Sequence, residues 1–226
     1  RRRCEAGGIP LRVRLVKGAN LAMERTQAEL RGWPNPVLPS KVETDASYLS
    51  ALDRLLTPES INTLHLGAAS HNIYSLATAV ELAKARGITS GFDIEMLAGM
   101  ATGLQEGVRH DTGHLLLYVP VVDPDEFDVA ISYLVRRLEE NAAPDNFMSG
   151  VFDLASDATV FAREEGRFLA ALADLDPDAP VPAPNRLQDR LAEREAGLPT
   201  ATAVSGDGIR SPFVSTPDSD PSLSAN

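Results

Sequence analysis

Two periods of apolar positions alternate along this chain. In "IPLRVRLVKGA" (9–19), leucine and β-branched residues alternate with Arg12 and Arg14 after a Gly-Gly pair and up to Gly18, which marks a strand. "LAMERTQAEL" (21–30) and "SYLSALDRLLT" (47–57) switch to helical spacing. The second carries Leu49, Leu52, Leu55 and Leu56 on one face and has its start signal at Asp45 or Ser47. "INTLHLGAA" (61–69) reads as a strand and "SHNIYSLATAVELAKARG" (70–87) as a helix with a serine cap and a glycine stop. "GFDIEMLAG" (91–99) is the next strand, "MATGLQEGVR" (100–109) a short helix, and "HLLLYVPVV" (114–122) the most hydrophobic strand of all. A last helix is announced by "DPDEF": Asp123 is its cap, Pro124 sits at the first helical position, and Glu126 completes a capping box. It is expected to run to Asn141.

Apolar strands alternating with helices imply an α/β fold with a parallel sheet, because parallel neighbours need a crossover that returns over the sheet face. Four such units are present. They would suit an open doubly wound fold or half of an eight-stranded (β/α)8 TIM barrel. No strand is followed by a G-x-G-x-x-G loop, since "KGANLAM" and "AGMATGL" do not fit that pattern, which weakens the dinucleotide-binding alternative. Beyond residue 150, "FDLASDATVFAREEGRFLAALADL" (152–175) is still helical. "DPDAPVPAPNRLQ" (176–188) is proline-rich, and the stretch from Thr200 is rich in Ser, Pro, Asp and Gly, so residues 151–199 read as a helical and proline-rich linker and 200–226 as an extended arm.

Charge narrows the range of partners. With 32 acidic against 21 basic residues and a formal net charge of −11, the chain repels a phosphate backbone, so nucleic acid is not an expected partner. The single cysteine, Cys4, cannot form an internal disulfide, and no apolar run reaches bilayer length. The basic start "RRRCEAGG" is followed by no apolar signal core, so a soluble, cytoplasmic protein is expected. The histidines at 65, 71, 110 and 114 lack a helical metal-ligand spacing; His65 reads as a satisfied core residue, and His110, Asp111 and His114 read as parts of a loop.

Against that acidic background, "YLVRRLEEN" (133–141) concentrates positive charge. On a helix Tyr133, Arg136, Arg137 and Glu140 share a polar stripe, while Phe127, Ala130, Ile131, Leu134 and Leu138 form an apolar, packed one. Adjacent guanidiniums can approach one carboxylate from two directions with charge-assisted bonds; the plainer alternative is a solvated face with Arg136 paired to Glu140. Arg12 and Arg14, on a strand expected to be covered on both faces, need compensation by an acidic neighbour such as Glu95, by an anionic ligand, or by reaching solvent at the strand ends. Lys17, and His71 with Asn72, stand at the carboxyl ends of two strands, where α/β sheets and barrels place their sites.

"RVRLVKGA", "SHN", "DIEMLAGM", "LLLYVPV" and "YLVRRLEEN", in that order and spacing, resemble the carboxyl-terminal half of proline dehydrogenase. The resemblance covers roughly residues 9 to 150 and is nearest to the long bacterial form fused to 1-pyrroline-5-carboxylate dehydrogenase. It implies a distorted (β/α)8 barrel that binds FAD, with the last helix over the carboxyl ends of the strands. The implied reaction is oxidation of L-proline to 1-pyrroline-5-carboxylate, with electrons passing to a quinone and the product to a fused or downstream NAD-dependent dehydrogenase. The parent protein is then expected to associate peripherally with a membrane. Carried over by position, Arg136 and Arg137 hold the proline carboxylate, Tyr133 packs on its ring and Tyr118 lines the pocket. Arg14 approaches flavin N5, and Val16, Lys17, Thr44, His71 and Glu140 contact or order the cofactor. Two departures stand out: Asn20 and Leu21 replace a common Tyr-Trp, and Glu95 replaces a common glutamine. The family's first four strands have no counterpart here, so a fragment is expected, with 1–150 as the barrel half. Two other readings remain: a non-catalytic α/β module with a salt-bridged arginine stripe, and a barrel enzyme whose arginines hold a phosphate.

Overall fold

The computed structural model describes residues 11–18, 21–32, 35 and 37–175. Cys4 and the proline-rich and arm segments from residue 176 onward lie outside the described residues. The described residues fall into two units, one holding 11–18 with 38–175, the other 21–32 with 35 and 37. The described part of the second is a single helix, α1 (Leu21–Arg31), with Glu24 in its first turn and Arg31 in its last.

The first unit holds four strands, β1 (Leu11–Val16), β2 (Leu64–Ala69), β3 (Phe92–Leu97) and β4 (Leu116–Tyr118), all parallel and paired in chain order. The helices are α2 (Lys41–Leu55), α3 (Pro58–Ile61), α4 (Ile73–Ala85), α5 (Thr102–Thr112), α6 (Phe127–Ala142) and α7 (Ala158–Ala173). Sequential strand order lacks the reversal that gives a doubly wound sheet its crevice. Because strand side chains alternate, β2 and β3 send Leu66, Ala68, Ile94 and Met96 into an apolar core. There they meet Leu49, Leu52 and Leu56 of the α2 segment, Leu76 and Ala79 of α4, and Ala171 of α7. Leu52, Leu56, Leu66 and Ile94 are at most 1% exposed, and burying each contributes about 1.5–3 kcal/mol. The opposite face of the sheet is charged, with Arg12 and Arg14 on β1, His65 on β2, and Asp93 and Glu95 on β3.

Several element boundaries differ from the pattern-based expectation, each for a hydrogen-bonding reason. α2 begins at Lys41, not at Asp45 or Ser47, because Ser40 accepts from the Glu43 N–H while the Glu43 carboxylate accepts from the Ser40 N–H. α4 is capped by Asn72, whose side chain accepts from Tyr74 and Ser75; Ser70 instead accepts from the Asn72 N–H. His110 and Asp111 belong to the last turn of α5, which ends at Gly113 with φ +77°, so they are helical. The expected capping box at Asp123 is not built, since Asp123 accepts from Asp125 in a single 3₁₀ turn (Pro124–Glu126) ahead of α6.

The largest correction concerns the two stripes of α6. Of the apolar set only Ala130 is buried; Phe127, Ile131, Leu134 and Leu138 are exposed, whereas Tyr133, Arg137 and Glu140 are half-buried. Likewise the strongly apolar "HLLLYVPVV" yields only a three-residue edge strand with Leu116, Leu117, Val119 and Val121 exposed. Hydrophobicity forecast burial there, and the described part of this chain provides no cover for it.

Candidate active site

At the carboxyl end of β1, Lys17 reaches into the space between α2 and α4. Its ammonium pairs with Asp45 Oδ1 at 2.6 Å, donates to Ser75 Oγ at 3.0 Å, and lies 5.0 Å from the centre of the Tyr48 ring. Lys41 shares the same carboxylate from one turn back along α2. Burial, reinforced by the charge of Lys41, pulls the Lys17 ammonium below its ordinary pKa despite Asp45. Burial, with the charge of Glu95 behind it, pushes the Tyr48 phenol up, and its hydroxyl is buried with no hydrogen-bond partner among the described residues.

A second network crosses the charged face of the sheet. Glu95 of β3 is 1% exposed and compensates both strand arginines: Arg14 Nε donates to its Oε2 at 2.7 Å and Arg12 Nη2 to its Oε1 at 3.2 Å. The compensating acid expected at Glu95 is therefore in place, while the arginine side chains, 46% and 42% exposed, also reach solvent. Gly67 of β2 lies between the two strands. A Cβ there would stand 2.0 Å from Glu95 Oε1, so only glycine lets the carboxylate pass over β2 to β1. The guanidinium of Arg14 sits 3.3 Å above the centre of the Tyr118 ring, and the Tyr118 hydroxyl donates to Glu95 Oε1 at 3.4 Å. Nearer the amino ends of the strands, Asp93 holds Arg12 (2.6 Å), His65 Nε2 (2.7 Å) and His114 Nε2 (3.1 Å). Burial alone would raise the Asp93 carboxyl, but the Arg12 bond, assisted by His65, holds it below its usual range.

The third group is carried by α6 and the end of β2. Arg137 pairs with Glu140 at 2.7 Å, one turn along the same helix, and its guanidinium lies 5.3 Å from the centre of the Tyr133 ring. Burial lowers the His71 pKa against the opposing pull of the Leu97 backbone, and the charge of Arg137 lowers it further. The His71 Nε2 is buried without a partner among the described residues. Asn141 Nδ2 reaches the Met100 sulfur at 3.7 Å, so the end of α6 stands by the segment that follows β3.

Among the residues singled out from sequence, Arg14 is brought onto Tyr118, and Arg137 is brought together with Tyr133 and Glu140, with its charge felt at His71. Arg136 is exposed on α6 and Val16 is exposed at the end of β1. Thr44 spends its hydroxyl on the Ser40 carbonyl at 2.9 Å, within its own helix. Sequence reasoning missed Asp45, Ser75 and Gly67. The only available signal for Gly67 was a glycine in the middle of a strand, which often marks a close approach. Among the described residues no group of three or more His, Cys, Asp or Glu side chains is arranged for a metal ion, and no helix is long and apolar enough to cross a membrane.

Known proteins resemble this chain in both sequence and fold. The bifunctional protein PutA of Escherichia coli is 30% identical over 206 residues, covering 84% of this chain and 15% of that protein. A solved structure of proline utilization A from Corynebacterium freiburgense superposes with a TM-score of 0.64 at 40% identity, covering 82% of this chain and 18% of that one. Another, from Bdellovibrio bacteriovorus and inactivated by N-propargylglycine, gives 0.63 at 29% identity over 88% of this chain and 22% of that one. The chain thus spans 15% to 22% of the length of these relatives. The family model for proline dehydrogenase matches residues 2–150, more than half of the sequence and all four strands with α6, and the chain belongs to that family.

Proposed function

We propose that this chain supplies the carboxyl-terminal, substrate-capping half of an FAD-dependent proline dehydrogenase that converts L-proline to 1-pyrroline-5-carboxylate. The observation that carries the reading is the cationic, aromatic ledge on α6, with Arg137 over Tyr133 and its charge felt at the half-buried His71. On this view residues 1–150 form four strand-helix units of a distorted (β/α)8 barrel, 151–199 a helical and proline-rich linker, and 200–226 an arm toward an aldehyde dehydrogenase domain. The exposed apolar faces of β4 and α6 suit a chain whose remaining barrel strands come from elsewhere in the protein.

The residues present fit a flavin. A half-buried histidine with an orphaned Nε2 and a half-buried, partly desolvated lysine both stand where β2 and β1 end. Arg14, Val16, Lys17, His71 and Glu140 would contact or order FAD. Thr44, which donates its hydroxyl to the Ser40 carbonyl, would join them as an acceptor. FAD, when bound, would supply the hydride acceptor for oxidation of proline at C5. The chain's own contribution is orientation and charge. Arg136 and Arg137 take the substrate carboxylate, with Arg137 exchanging its local partner Glu140 for the ligand. Tyr133 supplies a flat surface for the pyrrolidine ring, and Tyr118, held by Arg14 and Glu95, walls the pocket. Electrons then pass to a quinone and the product to an NAD-dependent 1-pyrroline-5-carboxylate dehydrogenase in the same polypeptide or downstream, in a cytoplasmic enzyme with peripheral membrane association.

The test is the absorbance spectrum after incubation with FAD and gel filtration, followed by anaerobic addition of L-proline. It is run first on this chain and then on a protein extended upstream. Bleaching of retained flavin in the extended protein supports the reading. A flavin that is absent, or is not bleached by proline, in both proteins sinks it.

A further inference from the structure

Glu95 is the least solvated charge on the sheet, and it is held by an unusual route. Its backbone belongs to β3, its cationic partners belong to β1, and β2 runs between them. The register pairs Arg14 with Gly67 and Gly67 with Asp93, so the carboxylate must cross one whole strand to reach Arg14 Nε. It can do so because position 67 has no side chain: any Cβ would overlap Oε1 at 2.0 Å and the carboxyl carbon at 2.4 Å. A buried carboxylate is costly unless every lone pair finds a donor. Here Oε2 takes Arg14 Nε, while Oε1 takes Arg12 and the Tyr118 hydroxyl. Both partners of the Arg14–Tyr118 stack are therefore tied to one carboxyl group. Pairing through Nε engages the inner edge of the guanidinium and does not consume both of its terminal donors.

Building on the flavin-dependent reading above, we propose that Glu95 is a positioning residue for that reaction. Seated across Gly67, it fixes Arg14 on the face of Tyr118 and offsets the arginine's charge. It thereby sets both the geometry and the strength of the positive field that Arg14 presents to the reduced cofactor. A fixed donor at a site where negative charge develops acts without reorganising, and a freed one loses that advantage. A neighbouring anion disfavours an electron-rich flavin, so removing the charge of Glu95 while keeping its shape should make the flavin easier to reduce.

The test uses Glu95→Gln, Glu95→Ala and Gly67→Ala in the full-length flavoprotein. Glu95→Ala is expected to lower kcat with proline by about tenfold or more, as misplacement of an orienting group does, with a smaller change in KM. Gly67→Ala should act in the same direction although Glu95 itself is intact. Glu95→Gln should restore most of kcat yet shift the midpoint potential of the bound flavin upward, which a merely structural residue would not do. An unchanged potential in Glu95→Gln overturns the proposal, and so does an unchanged kcat in Glu95→Ala. Should Glu95→Ala fail to fold, Gly67→Ala and the isosteric Glu95→Gln decide. A flavin-free readout separates this inference from the reading it rests on. In the chain without FAD, the Arg14 Nε–H resonance, assigned by its loss in Arg14→Lys, should be shifted and slow to exchange, and should collapse to solvent-like behaviour in Glu95→Ala. If proline bleaches the parent flavin but Glu95→Gln changes nothing, only the positioning role fails. If no flavin binds, the enzyme reading fails and the resonance still decides whether Glu95 holds Arg14.

Discussion

Two arginine pairs in this molecule have opposite electrostatic settings. Arg12 and Arg14 are two apart on β1 and share a face, where Asp93 and Glu95 of β3 meet them at 2.6 to 3.2 Å. Arg136 and Arg137 are adjacent on α6, about 100° apart around the helix, and Arg137 pairs with Glu140 on its own helix. The strand pair depends on long-range partners, one of them buried, so disturbing it disturbs the sheet. The helix pair uses a local i,i+3 contact between half-exposed groups, worth only a few tenths of a kcal/mol. A charge balanced by a distant buried acid suits a fixed scaffold, whereas one balanced by a weak neighbour can be transferred to a ligand at little cost.

Changes that set these pairs apart rank by size. The largest effect is expected from removing both helix arginines. In the flavin-loaded full-length protein, Arg136→Met with Arg137→Met should raise KM for proline by about a hundredfold or more, because each hydrogen bond to a charged group contributes roughly 1.5–3 kcal/mol. Steady-state kinetics checks this, and an unchanged KM would break the functional half of the comparison. Next, Gly67→Ala should destabilise this chain by about 1–3 kcal/mol through overpacking against Glu95, read from a urea midpoint. If the melt does not move, the strand pair is no more structural than the helix pair.

A smaller effect is expected from pH. Asp93 has its folded pKa depressed, so its contribution is complete above the unfolded value of about 3.9 and is lost as pH falls through the folded one. His71 is also depressed, so the unfolded chain binds its proton first, and stability declines as pH drops below about 6.5. Urea midpoints against pH should therefore show two descending limbs toward acid. Asp93→Asn should shrink the lower limb, to which the capping carboxylate of Asp157 also contributes, and His71→Gln should remove the upper one. The smallest change is on α6 itself: Leu138→Asp, on an exposed face, should shift the stability of this chain by no more than about 0.5 kcal/mol. A loss above about 2 kcal/mol in the full-length protein alone would mean that the face is covered there.

Most of the element list was legible from periodicity, since the four strands and the helices between them follow from side-chain spacing and glycine or proline punctuation. Caps were harder to assign. Ser40 and Asn72 win over Asp45 and Ser70 because capping depends on which side chain can meet the second or third N–H, and several neighbours in sequence had the right chemistry. The arginine stripe was legible as a helical face, and Glu95 as an acid able to offset the strand arginines. The clustering of Lys17 with Asp45 and Ser75 was not, because these residues come from three elements separated by up to 58 positions.

By itself, the sequence determined the alternation of strands and helices, the charged face of β1 and the Tyr-x-x-Arg-Arg-x-x-Glu run, because these depend on neighbours within one turn or one pleat. Only the tertiary structure decided which face of α6 turns inward, that Gly67 opens a path for Glu95 across β2, and that Arg14 rests on Tyr118. Those outcomes depend on strand register and on which surfaces find a partner, and register joins residues that lie far apart in the chain.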